Sequence, residues 1–584
     1  MTNNGTISTL FLERSKFILI GLTGRTGSGC TTAANILESQ SPVFPTHQDA
    51  FYNDEEFYQG LSQKRYNVAK RYAVANWKPF YSIKVSDLIS AYLLTLNTSE
   101  LVSFIFDNKQ NNSISKNKIR TLVKDGVFTT NKIVPKFSDF QKHIIHHDPM
   151  LDFTEQRLKK FIIYLKLVRK FTRDFKLELI SLSNDLYIST YQAAGISIRK
   201  LGKVEMDFQK KNFNPDSVFH LPESINKVVK LIRKNESKAF IVIDAVRNPY
   251  EARFFRDRYS AFYLISVNAP DEDRNKYLNT VHKFTVDQQN EIDKKESGEE
   301  NVPNKEFIGQ NVKRCIEISD IHIFNPRNEL HNHNVLKAQL AWYFSLMLHP
   351  GLISPTPMER VMQIAYTAKL NSGCISRQVG ATITDANYSI KAIGWNDVPE
   401  GQYPCSLRSA NGLLHEFDSV IYSEYERSNS ELRDAAEKKY GTLIFQSDNL
   451  GGRNLAYCFK DLKNNIDLEK NQVHTRSLHA EENAFLQITK YGGQSISGGK
   501  LYTTASPCEL CAKKAYQLGI SEIVYIDPYP GIAREHILTI GSNPPTLIQF
   551  RGAVGKGYYQ LYEPTLPYKD EIEYFLNNSK HITK

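Results

Sequence analysis

The first apolar run, Lys16-Phe17-Ile18-Leu19-Ile20-Gly21-Leu22, is too short to span a bilayer and predicts a buried strand. Residues from about 15 to 60 continue as Gly-rich loop, helix and strand, the opening of a βα unit. From about 60 to 235 the apolar positions take a helical period, clearest from Glu155 to Phe175, and no catalytic spacing occurs there. The β pattern resumes after Lys238 with Phe240-Ile241-Val242-Ile243-Asp244 and Phe262-Tyr263-Leu264-Ile265-Ser266-Val267. Asp320-Ile321-His322-Ile323-Phe324-Asn325 predicts one more strand. Between them, Asp287 to Asn304 has few apolar residues and predicts an exposed loop or lid. A helix ending near Leu348-His349-Pro350 is expected to join two halves. The layout predicts an α/β protein: a parallel-sheet domain over 1–327 with a helical insertion at about 60–235, a linker helix over 328–353, and a second α/β domain over 354–584.

Size and composition agree with this division. A chain of 584 residues exceeds the size at which one core keeps growing, which predicts two or three domains. No run reaches the ~18 apolar residues of a membrane helix, and the first residues do not read as a signal peptide. Seven cysteines without regular spacing argue against a secreted disulfide scaffold and for a reducing cytoplasm, where paired cysteines more often mean metal. The net charge of +10 suits phosphate-bearing ligands, free nucleotides or nucleic acid, but spread over this length it equally describes solvated surface lysine.

Chemistry concentrates in the second half. His479-Ala480-Glu481 is followed by Pro507-Cys508-Glu509-Leu510-Cys511, with 28 residues between His479 and Cys508. Residue types in this order form the H-x-E … P-C-x-x-C signature of zinc deaminases. His479, Cys508 and Cys511 supply three zinc ligands and leave a fourth position for water. A helix start at Cys508 puts both sulfurs on one face, where the dipole favours thiolates. Glu481 is not needed as a ligand. It can take a proton from the attacking water, deliver it to the ring N3 and assist departure of ammonia. A lone C-x-x-C would fit a structural half-site and a lone His-Ala-Glu arises by chance, but the two together with Pro507 point to catalysis.

Here the sequence resembles the deoxycytidylate deaminases. His479-Ala480-Glu481-Glu482-Asn483-Ala484 is similar to their H-A-E-x-N-A segment. Ser372 to Ala381 resembles S-x-C-x-x-R-x-V-G-A, and Ile393-Gly394-Trp395-Asn396-Asp397-Val398-Pro399-Glu400-Gly401 resembles G-Y-N-x-x-P-x-G. The resemblance implies an α/β/α cytidine-deaminase-like domain, with Asn396 on the sugar or base and Arg377 on the phosphate side. A surface arginine at a strand start is the other reading of Arg377, and Cys374 reads as packing. The departure is an insertion of 82 residues between Asn396 and His479, containing Cys405, His415, Cys458 and His474, whose spacing matches no compact finger.

The front half carries Gly24-Arg25-Thr26-Gly27-Ser28-Gly29-Cys30-Thr31 between a strand and a helix. It fits a phosphate-binding loop except that Cys30 stands where the lysine should be. Backbone amides could still cradle phosphates and Thr31 could meet Mg²⁺, so nucleotide binding or sensing is expected rather than phosphoryl transfer. Asp49-Ala50-Phe51-Tyr52 resembles the D-x-F-Y of uridine-kinase-like folds, and Asp244 ends an apolar strand where an acidic group is expected. A P-loop kinase-like domain fused to such a deaminase resembles the anti-phage dCTP deaminases of bacteria. That resemblance implies Zn²⁺-dependent conversion of dCTP, and of dCMP, to dUTP and dUMP plus ammonia, depleting the dCTP pool. It also implies free deoxycytidine nucleotides as ligands, Mg²⁺ with nucleotide in front, a cytoplasmic homo-oligomer away from membranes, and an inhibitory regulator. Two alternatives remain: a polynucleotide-editing deaminase, and a nucleotide-sensing signalling module with an inactive deaminase fold. His143, His146 and His147 read as one surface helix turn, and His331-Asn332-His333 lacks the flanks of a nuclease motif.

Overall fold

The computed structural model describes residues 7, 10–109, 114–125, 137–146, 154–298, 304–327, 333–469, 471–492, 495–526 and 533–579. The chain divides into two units, one of Met1–Ser354 with Lys556–Lys584, the other of Pro355–Gly555. The expected second domain ran to Lys584, but the last segment belongs with the first unit. There the Gly351 N–H donates to the Leu561 carbonyl at 2.9 Å, and His349 Nε2 lies 2.9 Å from a Glu571 carboxylate oxygen.

Five strands of the first unit are parallel: β1 (Phe17–Thr23), β2 (Tyr81–Lys84), β3 (Ala239–Asp244), β4 (Phe262–Asn268) and β5 (Ile321–Phe324). Their order is β5-β4-β1-β3-β2, with Phe17 opposite Ala239 and Leu19 opposite Phe262. Every residue of β1, β3 and β4 is buried, as parallel strands covered on both faces require. The glycine-rich segment turns from β1 into helix α1 (Cys30–Glu38). β2 lies inside the zone that reads as helical, since four residues are too few to show a period of two. The elements among the other described residues of that zone are helical, as expected. Its longest element, α2 (Glu155–Leu182), buries Leu158, Phe161, Tyr164, Val168, Phe171, Phe175 and Leu179, one stripe at three- and four-residue spacing. α3 (Leu186–Leu201) follows.

Three expectations for this unit are corrected. Asp287 to Asn304 is not an exposed loop over its described part: α4 (Val286–Ser297) starts in a capping box of Thr285 and Gln288 and buries Gln289, Ile292 and Glu296. Its buried face is mostly polar, which is why apolar counting missed it. α5 (Asn334–Leu348) is no linker, because thirteen of its residues are buried, all but Asn334 and Lys337, and such a helix is a core element. His143 is buried rather than superficial, whereas His146 is exposed. His147, His331 and Asn332 lie outside the described residues.

The second unit is built on β6 (Gly380–Thr384), β7 (Ile390–Trp395), β8 (Lys500–Thr503), β9 (Glu522–Tyr525) and β10 (Thr546–Gln549), in the order β10-β9-β8-β6-β7. β8, β9 and β10 are parallel, while β6 is antiparallel to both β7 and β8. Helix α6 (Pro357–Ala368) covers one face through Val361, Met362 and Ala365 against Tyr502 and Val524. Helices α7 (Ala480–Lys490) and α8 (Glu509–Gln517) cover the other, with Ala480, Ala484 and Ala512 on Ala381, Leu501 and Ile523. The result is the expected α/β/α sandwich. Small residues let α7 lie close to the sheet: a Cβ on Gly394 would stand 2.2 Å from the Ala480 carbonyl oxygen and 2.5 Å from Ala484 N. The 397–478 insertion is a helical subdomain with its own core, including Leu413, Tyr422, Leu432, Tyr457 and Leu462.

Candidate active site

Two helix starts meet at the edge of this sheet. His479 is the N-cap of α7, and Cys508 is the N-cap of α8 with Cys511 in its first turn. His479 Nδ1 lies 3.2 Å from Cys508 Sγ and 3.5 Å from Cys511 Sγ. The three donor atoms fall within 4.8 Å of one another, the one such group among the described residues. One imidazole nitrogen and two sulfurs suit zinc with a position left open. Their chemistry is prepared for a cation. A hydrogen bond from the Cys511 thiol, and a second from His479, holds the Cys508 thiol down at about 4, while that contact pushes Cys511 far up.

Glu481 is 4% exposed, and burial pushes its carboxyl above the usual range. Thr503, the last residue of β8, places its hydroxyl 3.0 Å from Glu481 Oε1 and 2.8 Å from the Ala505 carbonyl oxygen. No sequence pattern singled out Thr503. Its signal is position alone, at a strand end ahead of Pro507. The neighbouring motif residues hold α7 in place: Glu482 accepts from the His479 backbone N–H at 3.4 Å and pairs with Lys514 of α8, and Asn483 donates to the Trp395 carbonyl at 3.0 Å.

Asn396 lines the same cleft, with its amide tied to backbone. Oδ1 accepts from Val379 N at 2.6 Å and Nδ2 donates to the Arg377 carbonyl at 2.7 Å. It thereby fixes the segment that presents Arg377, which is half-buried and also lines the cleft. The cleft encloses about 240 Å³, with His479, Glu481 and Cys508 in its wall. The insertion contributes Cys405, Cys458, Lys460 and Arg476 to the lining, two cations that sequence reasoning missed. The four Cys and His residues of the insertion do not converge: His415 is exposed, and His474 faces Asp467 at 3.7 Å. Cys374 lines the cleft as well, half-buried.

In the first unit, Arg25, Thr26, Gly27, Gly29, Cys30 and Thr31 line a separate cavity of about 520 Å³, while Gly24 and Ser28 stand behind it. Asp244 lies in this cavity and hydrogen-bonds to Thr31. Asp49 is exposed, held by Thr46, and is not part of the lining.

Residues 355–527 match the family described as the cytidine and deoxycytidylate deaminase zinc-binding region. Fold, match and site together define the class: a zinc-binding deaminase of the cytidine and deoxycytidylate type. The chain is 31% identical to the deoxycytidylate deaminase of Enterobacteria phage T2 over 171 residues, 29% of this chain and 79% of that protein. It is 30% identical to the deoxycytidylate deaminase of Enterobacteria phage T4 over 171 residues, 29% of this chain and 77% of that one. Among solved structures, the dCMP deaminase of cyanophage S-TIM5 in complex with dCMP and dUMP matches at 21% identity with a TM-score of 0.21, covering 34% of this chain and 99% of that one. The chain belongs to the deoxycytidylate deaminase family. It is an enzyme of that type, and zinc is its metal. Among the described residues no helix is long and apolar enough to cross a membrane.

Proposed function

We propose that the second unit hydrolytically deaminates free deoxycytidine nucleotides, dCTP above all and dCMP with it, with His479, Cys508 and Cys511 holding the zinc. The observation that carries this reading is one cleft combining a buried Glu481 beside the His-Cys-Cys cluster with three cations, Arg377, Lys460 and Arg476. Three cations suit a triphosphate better than a single phosphate. When bound, the metal supplies Lewis acidity that activates a water. Glu481 takes a proton from the attacking water and passes it to N3 as the oxygen joins C4. It then takes the proton of the new C4 hydroxyl and delivers it to the exocyclic amino group, the C4–N bond breaks as C4=O forms, and uracil nucleotide and ammonia leave. Thr503 orients the Glu481 carboxyl, and Asn396 acts by holding the Arg377 segment.

The first unit, on this reading, is a P-loop kinase-like domain that binds nucleotide with Mg²⁺ at Gly24 to Thr31 and senses rather than phosphorylates. The whole chain would deplete dCTP during phage replication, as a cytoplasmic homo-oligomer held in check by an inhibitory regulator. The test incubates purified zinc-loaded protein with dCMP, dCDP, dCTP, CTP and a cytosine oligonucleotide and measures deaminated product. Fastest turnover of dCTP is expected. Turnover of the oligonucleotide alone overturns the assignment.

A further inference from the structure

The cavity of the first unit holds a charge pattern that deamination does not use. Loop 24–31 bounds it on one side and α2 and α3 on another. The loop is turned for an anion. Gly29 has φ +117°, and a Cβ there would stand 2.2 Å from Asn325 Nδ2. Asn325 and Arg327 donate to the Ser28 and Gly27 carbonyls, each at 2.7 Å, which takes those oxygens out of the cradle. The start of α1 lines the cavity through Cys30, Thr31 and Thr32. The chain itself supplies an anion to this loop: wholly buried Glu296 of α4 accepts from Thr26 N at 2.9 Å and from the Thr26 hydroxyl, and pairs with Arg247.

Thr31 and Asp244 are hydrogen-bonded, the hydroxyl and carboxylate that Mg²⁺ takes in phosphate sites of this kind. The absent element is a cation at Cys30, whose thiol burial pushes up to about 12, so that it carries no charge. Other cations of the cavity are already engaged: Arg25 with Asp271 and Asp293, Arg199 with Glu251, Arg247 with Glu296. Lys176 of α2 is different. It lines the cavity with Cys30, Thr31 and Asp244, stands 4.9 Å over the Tyr187 ring, and makes no ion pair among the described residues. His282, on another part of the wall, is held down by burial and by the charges of Lys176 and Arg327. Aromatic rings also line it, with those of Tyr187 and Tyr191 4.4 Å apart between centroids.

We infer that this cavity binds a nucleoside triphosphate with Mg²⁺, and that Lys176, from the helical insertion, is the phosphate-neutralising residue in place of the lysine that Cys30 replaces. This rests on the nucleotide-binding reading of the first unit. Lys176 reaches the phosphates from α2, the Thr31–Asp244 pair takes the metal, and the Tyr187 ring beneath Lys176 steadies its ammonium group.

Fluorescence titration of the full-length protein with mant-ATP and Mg²⁺, competed by ATP, AMP or inorganic phosphate, tests this. Wild type should bind, with ATP the strongest competitor. Lys176→Met should weaken binding by roughly ten- to a hundredfold, the range of a lost charged hydrogen bond. Cys30→Lys in that background should restore it. Wild-type affinity in Lys176→Met overturns the lysine assignment while the nucleotide reading stands. No binding by wild type overturns the reading itself and the inference with it. Cys30→Lys alone covers the case in which Lys176→Met fails to fold: little change is expected, and a gain of roughly tenfold or more shows the site lacked its cation.

Discussion

Glu481, at 4% exposure, keeps its proton further up the pH scale than a solvated carboxyl does, because burial penalises the charge. Such a group holds a proton more readily than a solvated carboxyl and can return it, which a deamination cycle needs twice. The metal ligands answer to a different test. Cys511→Ala removes one of three donors and should lower zinc content from about one per chain to near zero by atomic absorption. Retention of full zinc would show that another residue completes the site. On the proposed reading Lys460 faces the substrate phosphates, and Lys460→Ala should raise KM for dCTP by roughly tenfold with little change in kcat, and less for dCMP. Equal effects on both nucleotides would place its charge at the first phosphate. Asn396 shows where residue-level reading stops: the motif marks it as important, and its side chain also holds backbone at Val379 and Arg377, which on the proposed reading positions Arg377.

Among elements, α7 carries His479 and Glu481, and its seat depends on Gly394 of β7. Gly394→Ala would press a methyl group 2.2 Å from the Ala480 carbonyl and should cost about 1–3 kcal/mol of stability. Displacement of α7 by even ~1 Å should cut kcat/KM by on the order of a hundredfold. Wild-type turnover in this variant would mean that the helix has room to move. The insertion has a parallel point of failure. Arg408 and Glu426, 0% and 1% exposed, pair beneath Tyr457, which lies 2.6 Å from Arg408 and 2.7 Å from Glu426. Burial alone would raise Glu426, but the Arg408 hydrogen bond and charge win and hold it below its ordinary value. A depressed folded value means that the contribution to stability is present above the usual carboxylate range and lost as pH falls below it. Arg408→Met strips the buried Glu426 carboxylate of its nearest cation, leaving Arg476 at 3.7 Å, and should cost about 3–5 kcal/mol in urea titrations at neutral pH, and less under acid conditions. An undiminished cost in acid would contradict the charge argument.

At the scale of the molecule, the parts that read clearly from sequence are those with continuous pattern. β1, β3 and β4 are unbroken apolar runs, and α2 is a long stripe, so periodicity finds them. His479, Glu481, Cys508 and Cys511 were legible because ligand chemistry fixes both residue type and spacing. What stayed hidden depends on contacts distant in sequence. α4 buries polar residues against partners far along the chain, including Thr26 and Arg247. Lys460 and Arg476 reach the cleft only because the insertion folds back on it. The tail from Lys556 joins the first unit through single hydrogen bonds that leave no periodic trace.

The central claim, that Glu481 moves the protons of a zinc-dependent deamination of free deoxycytidine nucleotides, is tested most directly by dCTP turnover in Glu481→Gln protein assayed together with its zinc content. The account predicts that turnover falls by roughly 10²–10⁴-fold while zinc stays at the wild-type level. Turnover at the wild-type rate with zinc retained would contradict it.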